Sequence, residues 1–164
     1  MIFKRIIYAL LYSNGNFHLS RNFRLQKVGD VEWLKNNFGF GETCDFIDEL
    51  MVINVTTDST EEDFKKYFED INKLREKIFV PITLGGGIRN LDHAKKCFNN
   101  GADKILINHL AHFDTDECKK ISNIYGEQAI SVMVDYKKDR NGFSTYTKSG
   151  TTFSKSLKDF IISI

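Results

Sequence analysis

Short apolar runs alternate with longer amphipathic ones along this chain, and that alternation restricts its fold more than any other feature. Runs at Val80–Leu84, Lys104–Asn108 and Ala129–Asp135 recur every ~25 residues, a spacing typical of βα units. They are apolar on both faces, as in a parallel sheet covered by helices. Runs at Arg5–Leu11 and Glu49–Val55 bring the predicted strands to five. Between them, Glu61–Lys77 reads as a helix, because Phe64, Tyr67, Phe68, Ile71 and Leu74 recur at three- and four-residue steps. Ser59 or Thr60 can cap it. Further helices are expected over Asn90–Asn99 and Asp114–Tyr125. Residues 31–44 read as a helix broken by Gly39 and Gly41, and 13–30 as a long loop. Residues 136–152 read as a hairpin turning at Asn141-Gly142. The chain closes on the opening of another helix, expected to bury Leu157, Phe160, Ile161 and Ile164.

Such alternation implies a parallel sheet with right-handed crossovers. A doubly wound sheet and a (β/α) barrel both satisfy it. A complete eight-stranded barrel needs ~200–250 residues. The 164 residues here suit a single domain, 1–164, with five strands and no sixth. A net charge of +1 implies neither a nucleic-acid stripe nor a membrane-attracting face. No apolar run approaches the ~20 residues of a membrane helix. Cys44, Cys97 and Cys118 form no CxxC pair and read as reduced thiols of a cytoplasmic protein.

In both architectures, ligands bind beyond the carboxyl ends of the strands. There the third strand delivers Gly85, Gly86 and Gly87. Without Cβ atoms, their backbone can approach a ligand closely, and their N–H groups next to a helix start suit a phosphate. A tight βα turn is the plainer alternative. Strand four ends in Asn108-His109; Asn108 can hold a phosphate or a loop. Strand five ends in Asp135, a candidate acid–base group, or else a helix cap or a hairpin-stabilising aspartate. Strand two reaches Asn54 and Thr56. His109 and His112 have HxxH spacing but lack further ligands, so no metal site is expected. His18 could reach a ligand from its loop, and His93 reads as lying on a solvated helix face.

Taken together, KRII at 4–7, VGD at 28–30, DEL at 48–50, PITLGGGIRN at 81–90, GADKILIN at 101–108 and YGEQAISVMVDYKK at 125–138 resemble the HisF family. HisF is the cyclase subunit of imidazole glycerol phosphate synthase, in the HisA/HisF superfamily. The resemblance covers the chain but only the first five of the family's eight βα units. It implies a partial TIM (β/α)8 barrel truncated before strand six. It further implies a HisH-like glutaminase under the N-terminal face, whose ammonia crosses the barrel to meet a phosphorylated ribonucleotide. By that resemblance Gly86, Gly87 and Asn108 would hold phosphate and Asp135 would be a catalytic aspartate. Arg5, Glu49 and Lys104 would belong to the charged gate that admits ammonia; salt bridges closing the barrel floor are their plainer role. No cofactor is implied.

The family's other catalytic aspartate falls on Leu11, its acid after strand two on Asn54, and its loop lysine on Leu19. Leucine cannot exchange a proton, so two-carboxylate chemistry is closed to this sequence. These departures resemble a divergent HisF-like branch that delivers ammonia to a sugar amidotransferase in acetamidino-sugar synthesis for surface polysaccharides. That branch is the expectation, ahead of the cyclase of histidine biosynthesis and of a non-catalytic glutaminase-docking module. A missing sixth strand would leave an apolar edge bare, implying a truncated frame, a fragment, or association that covers it.

Overall fold

The computed structural model describes residues 4–22, 24–76, 78–140, 142–148 and 150–163. The chain opens with strand β1 (Ile7–Ser13) and the hairpin strands β2 (Asn16–Arg21) and β3 (Arg24–Gly29). Helices α1 (Val31–Asn37) and α2 (Phe40–Cys44) lead into β4 (Glu49–Asn54). Next come α3 (Glu61–Arg75), β5 (Ile82–Gly85), α4 (Leu91–Asn99), β6 (Lys104–Ile107), α5 (His109–Phe113) and α6 (Thr115–Tyr125). A 3₁₀ turn (Glu127–Ala129) precedes β7 (Ile130–Val132). The chain finishes with β8 (Asp135–Asp139), β9 (Gly142–Thr147), β10 (Thr152–Ser156) and α7 (Leu157–Ser163).

One sheet has the order β3-β2-β1-β4-β5-β6-β7. The pairs β1·β4, β4·β5, β5·β6 and β6·β7 are parallel; β1·β2 and β2·β3 are antiparallel. Side chains alternate between the two faces. Leu10, Tyr12, Leu50, Val52, Leu84, Ile105 and Ile107 form one buried core with Phe64, Tyr67 and Ile71 of α3, Ala94 and Cys97 of α4, and Ile121 of α6. Burying each such aliphatic side chain contributes about 1.5–3 kcal/mol. The helices start where caps are supplied. Thr60 and Asp63 form a capping box on α3, while Asp30, Asn90 and Asp114 accept from backbone N–H groups at the starts of α1, α4 and α6. Tyr12 ties β1 to α3: its hydroxyl donates to Asp70 at 2.8 Å, and Lys66 donates to the other oxygen of that carboxylate. Burial and the Asp70 carboxylate push the Tyr12 hydroxyl well above the ordinary tyrosine range.

The expectation of about five strands, stopping before a sixth, is corrected by this sheet. It contains seven strands, and seven α-helices occur among the described residues, so the (β/α)-barrel layer is fuller than a five-unit segment. The long loop expected at 13–30 is the source of two extra strands. Asn14 and Gly15 both have positive φ, 48° and 75°, in a two-residue turn that pairs Ser13 with Asn16. That geometry matches the right-handed twist of the flanking strands. A second antiparallel sheet, β10-β9-β8, takes up the tail. Asp135 begins β8 instead of closing the preceding strand, and Lys155 and Ser156 lie in β10 instead of a helix. In α7 Phe160 is fully buried, but Ile161 is 58% exposed, because the helix rests on β9 and β10 by one narrow face. Asn141 and Ile164, named above for the turn and the last helix, lie outside the described residues, as does Lys77.

Candidate functional site

Parallel pairing brings the carboxyl ends of β4, β5, β6 and β7 to one rim. Asn54 closes β4, Gly85 closes β5, and Asn108 follows β6. The Met133 N–H donates to the Ile107 carbonyl at 2.8 Å, carrying β7 forward to Asp135. The glycine loop and the Asp135 carboxylate therefore share a rim.

The glycines are required where they stand. Gly86 has φ +90°, and a Cβ there would lie 1.8 Å from the Asn54 carbonyl oxygen. Gly87 has φ +71°, and its Cβ would lie 2.5 Å from the Phe64 ring. The loop is thus pressed onto the end of β4 and the first turn of α3. Beside it, Asn108 Nδ2 donates to Asp135 Oδ2 at 3.0 Å. Burial raises the Asp135 carboxyl above the ordinary aspartate range, and the Asn108 bond only partly opposes it. Asn54 Nδ2, Asn108 Oδ1 and His109 Nδ1 are buried without a hydrogen-bond partner. Groups of this kind can pair with a polar ligand. Burial, with Arg89 and Lys148 nearby, holds the His109 ring below the usual histidine range.

The departures from the family's pattern sit as follows. Leu11 is paired with Ile53, two residues short of the end of β1. Leu19 is exposed on β2. Asn54 is buried, its Oδ1 accepting from the Thr56 N–H at 3.0 Å. His18 contacts the Asn16 carbonyl through Nδ1 at 3.1 Å. His112 is stacked on Phe160 and bonded to Ser154 Oγ at 2.8 Å. Among the described residues no group of three or more His, Cys, Asp and Glu is placed to hold a metal ion. His93 is not on a purely solvated face: its Nδ1 lies 3.1 Å from the Gly87 carbonyl.

At the opposite rim, Glu49, Thr83 and Lys104 meet on the sheet face away from the helices. Glu49 is 2% exposed. Its Oε2 accepts from Arg5 at 2.9 Å and Lys104 at 2.8 Å, and its Oε1 from Thr83 at 2.5 Å. Burial alone would raise the Glu49 carboxyl. Hydrogen bonds from Lys104 and Thr83, with the Lys104 and Arg5 charges, outweigh it and hold the group below its ordinary value. Thr83 is not among the site residues expected from the sequence. Its signal was a hydroxyl in an otherwise apolar strand, in phase with Glu49 and Lys104.

Fold and rims together define a (β/α)-barrel-type protein with a candidate ligand end at the strand carboxyl termini. The chain belongs to the family described as "Histidine biosynthesis protein", whose profile matches residues 44–160. It is 43% identical over 147 residues to a protein of Parasynechococcus marenigrum named as subunit hisF2 of imidazole glycerol phosphate synthase, covering 90% of this chain and 54% of that relative. It is 31% identical to the HisF subunit of that enzyme from Chlorobium phaeobacteroides (94% of this chain, 60% of the relative). It is 33% identical to the subunit from Sulfurisphaera tokodaii (92% and 59%). The chain thus spans between half and two-thirds of the length of these relatives. Their names overturn the expected acetamidino-sugar branch. The relatives compared, the 43% identical one included, are named for imidazole glycerol phosphate synthase. No helix among the described residues is long and apolar enough to cross a membrane.

Proposed function

We propose that this chain works as a cyclase-type subunit of imidazole glycerol phosphate synthase in histidine biosynthesis. The observation that carries the reading is the family match over residues 44–160, which includes both the glycine loop and Asp135. In this reading the substrate is a phosphorylated ribonucleotide, which reacts with ammonia to give imidazole glycerol phosphate and an aminoimidazole carboxamide ribonucleotide. Gly86, Gly87 and Asn108 hold a substrate phosphate. Loop backbone that no Cβ obstructs is suited to close approach by phosphate oxygens.

Asp135 is the acid–base group. Its half-buried carboxyl, raised by desolvation, lies closer to neutrality than an exposed aspartate, which favours proton exchange. Asn108 Nδ2 fixes the carboxylate by donating to Oδ2. With Leu11 in place of an acid, proton transfers rest on this single carboxylate.

Arg5, Glu49 and Lys104 form the gate for ammonia at the other rim. Two cations on one Glu49 oxygen leave alternative pairings, so one cation can swing aside while the other keeps the buried carboxylate paired. A glutaminase of the HisH type, docked at this rim, supplies the ammonia. Three free cysteines, Cys44, Cys97 and Cys118, support a reducing, cytoplasmic setting.

The test is growth without histidine of cells lacking their own cyclase subunit. Expression of this chain restores growth, and the Asp135→Asn variant does not. No growth with soluble wild-type protein present would overturn the reading.

A further inference from the structure

We propose that His93 is a positioning residue for the glycine loop, setting the orientation of the peptide that follows Gly87. The inference rests on the phosphate-binding reading of that loop. His93 lies in the first turn of α4, where its own N–H donates to the Asn90 cap at 2.9 Å. Its ring is tilted against Phe64, with centroids 5.4 Å apart, and the Phe64 ring is the surface on which Gly87 rests. Its Nδ1 is 3.1 Å from the Gly87 carbonyl oxygen. A carbonyl only accepts, so Nδ1 carries the proton. The other ring nitrogen faces the Glu61 carboxylate at 4.0 Å, and that carboxylate is itself held by Lys96 at 2.5 Å.

The consequence follows from peptide planarity. The Gly87 carbonyl and the Ile88 N–H lie in one plane and point in opposite directions. Holding the carbonyl toward α4 turns that N–H away from α4. Gly87, at φ +71°, is free to adopt other conformations, and glycine loses more freedom on ordering than any other residue. A side-chain donor that selects one orientation before ligand arrives lowers the ordering cost of binding. His93 thus acts through the loop.

Two variants separate donor from packing. His93→Phe keeps a ring against Phe64 and removes the donor. His93→Asn places an amide N–H near the position of Nδ1 and removes the ring. The amides of Gly86 and Gly87 are followed by NMR while inorganic phosphate is titrated into the full chain. Wild type binds saturably; His93→Phe binds about three- to tenfold more weakly, the value of one net hydrogen bond; His93→Asn stays within about twofold of wild type, since it retains that bond. In turnover, His93→Phe raises KM for the phosphorylated substrate and leaves kcat unchanged. Equal phosphate affinity in wild type and His93→Phe overturns the inference alone, as does His93→Asn binding as weakly as His93→Phe. Wild-type protein that binds no phosphate overturns the loop reading, and the inference with it.

Discussion

Gly86 has no room for a side chain, and that single constraint fixes the candidate ligand end. A Cβ there would meet backbone, not a flexible side chain, so the loop itself would have to move. Gly86→Ala is expected to cost at least about 2 kcal/mol, combining positive-φ strain with the clash. A urea midpoint checks this, and phosphate binding should fall with it. Asp135 behaves in the opposite way. Its folded pKa is raised, so its charged form destabilises the native state. That cost is absent below the ordinary aspartate value, grows as pH rises from there to the raised one, and is complete above it. Asp135→Asn is therefore expected to be as stable as wild type or more so at pH 7, while losing activity. Melting curves at pH 4 and pH 7 test the sign. Glu49 has a lowered folded pKa, so its stabilisation is complete at neutral pH and is lost as pH falls below the ordinary glutamate range. Glu49→Ala leaves Lys104 and Arg5 without their shared anion and should cost about 2–3 kcal/mol at pH 7, an effect that fades in acid.

At the scale of elements, the capping box of α3 provides a clean local test. Thr60→Ala removes the bond to the Asp63 N–H and should destabilise the protein by about 1 kcal/mol, measured by thermal or urea denaturation. Legibility varied from element to element. The parallel strands and α3 were readable because burial on both faces and a 3.6-residue period leave direct marks in the sequence. The hairpin β2–β3 falls within the loop expected at 13–30, although Asn14-Gly15 signals the turn that leads from β1 into it. Its strands are polar and mostly exposed, so no apolar alternation announced them. The tail was misread for a related reason. From Lys155 onward, Leu157, Phe160 and Ile161 recur at helical spacing and fit the start of a helix, but pairing with β9 decides in favour of strand up to Ser156. At the site, Asn108 and Asp135 could be named individually. Their 3.0 Å bond could not, because it depends on how β7 gives way to β8 after Val132. A helix pattern shows which face is polar, not which loop carbonyl lies opposite it, so the sequence alone places His93 on a solvated face and misses its contact with Gly87.

For the whole molecule, the parallel part of one mixed sheet separates two chemistries. One rim gathers close-packed glycine backbone and a half-buried carboxylate; the other gathers a buried glutamate shared by two cations. That polarity follows from parallel pairing, which puts all strand carboxyl ends on the same side. It is the reason a reading built on ammonia entering one rim and reacting at the other is physically coherent for this chain. The most direct measurement is turnover of the phosphorylated ribonucleotide by the purified chain with ammonium supplied in place of a glutaminase. Wild type is expected to form imidazole glycerol phosphate, and Asp135→Asn to lose at least about a hundredfold in rate, the contribution of one acid–base group. No product from wild type, or equal rates with and without the Asp135 carboxylate, would contradict the cyclase reading.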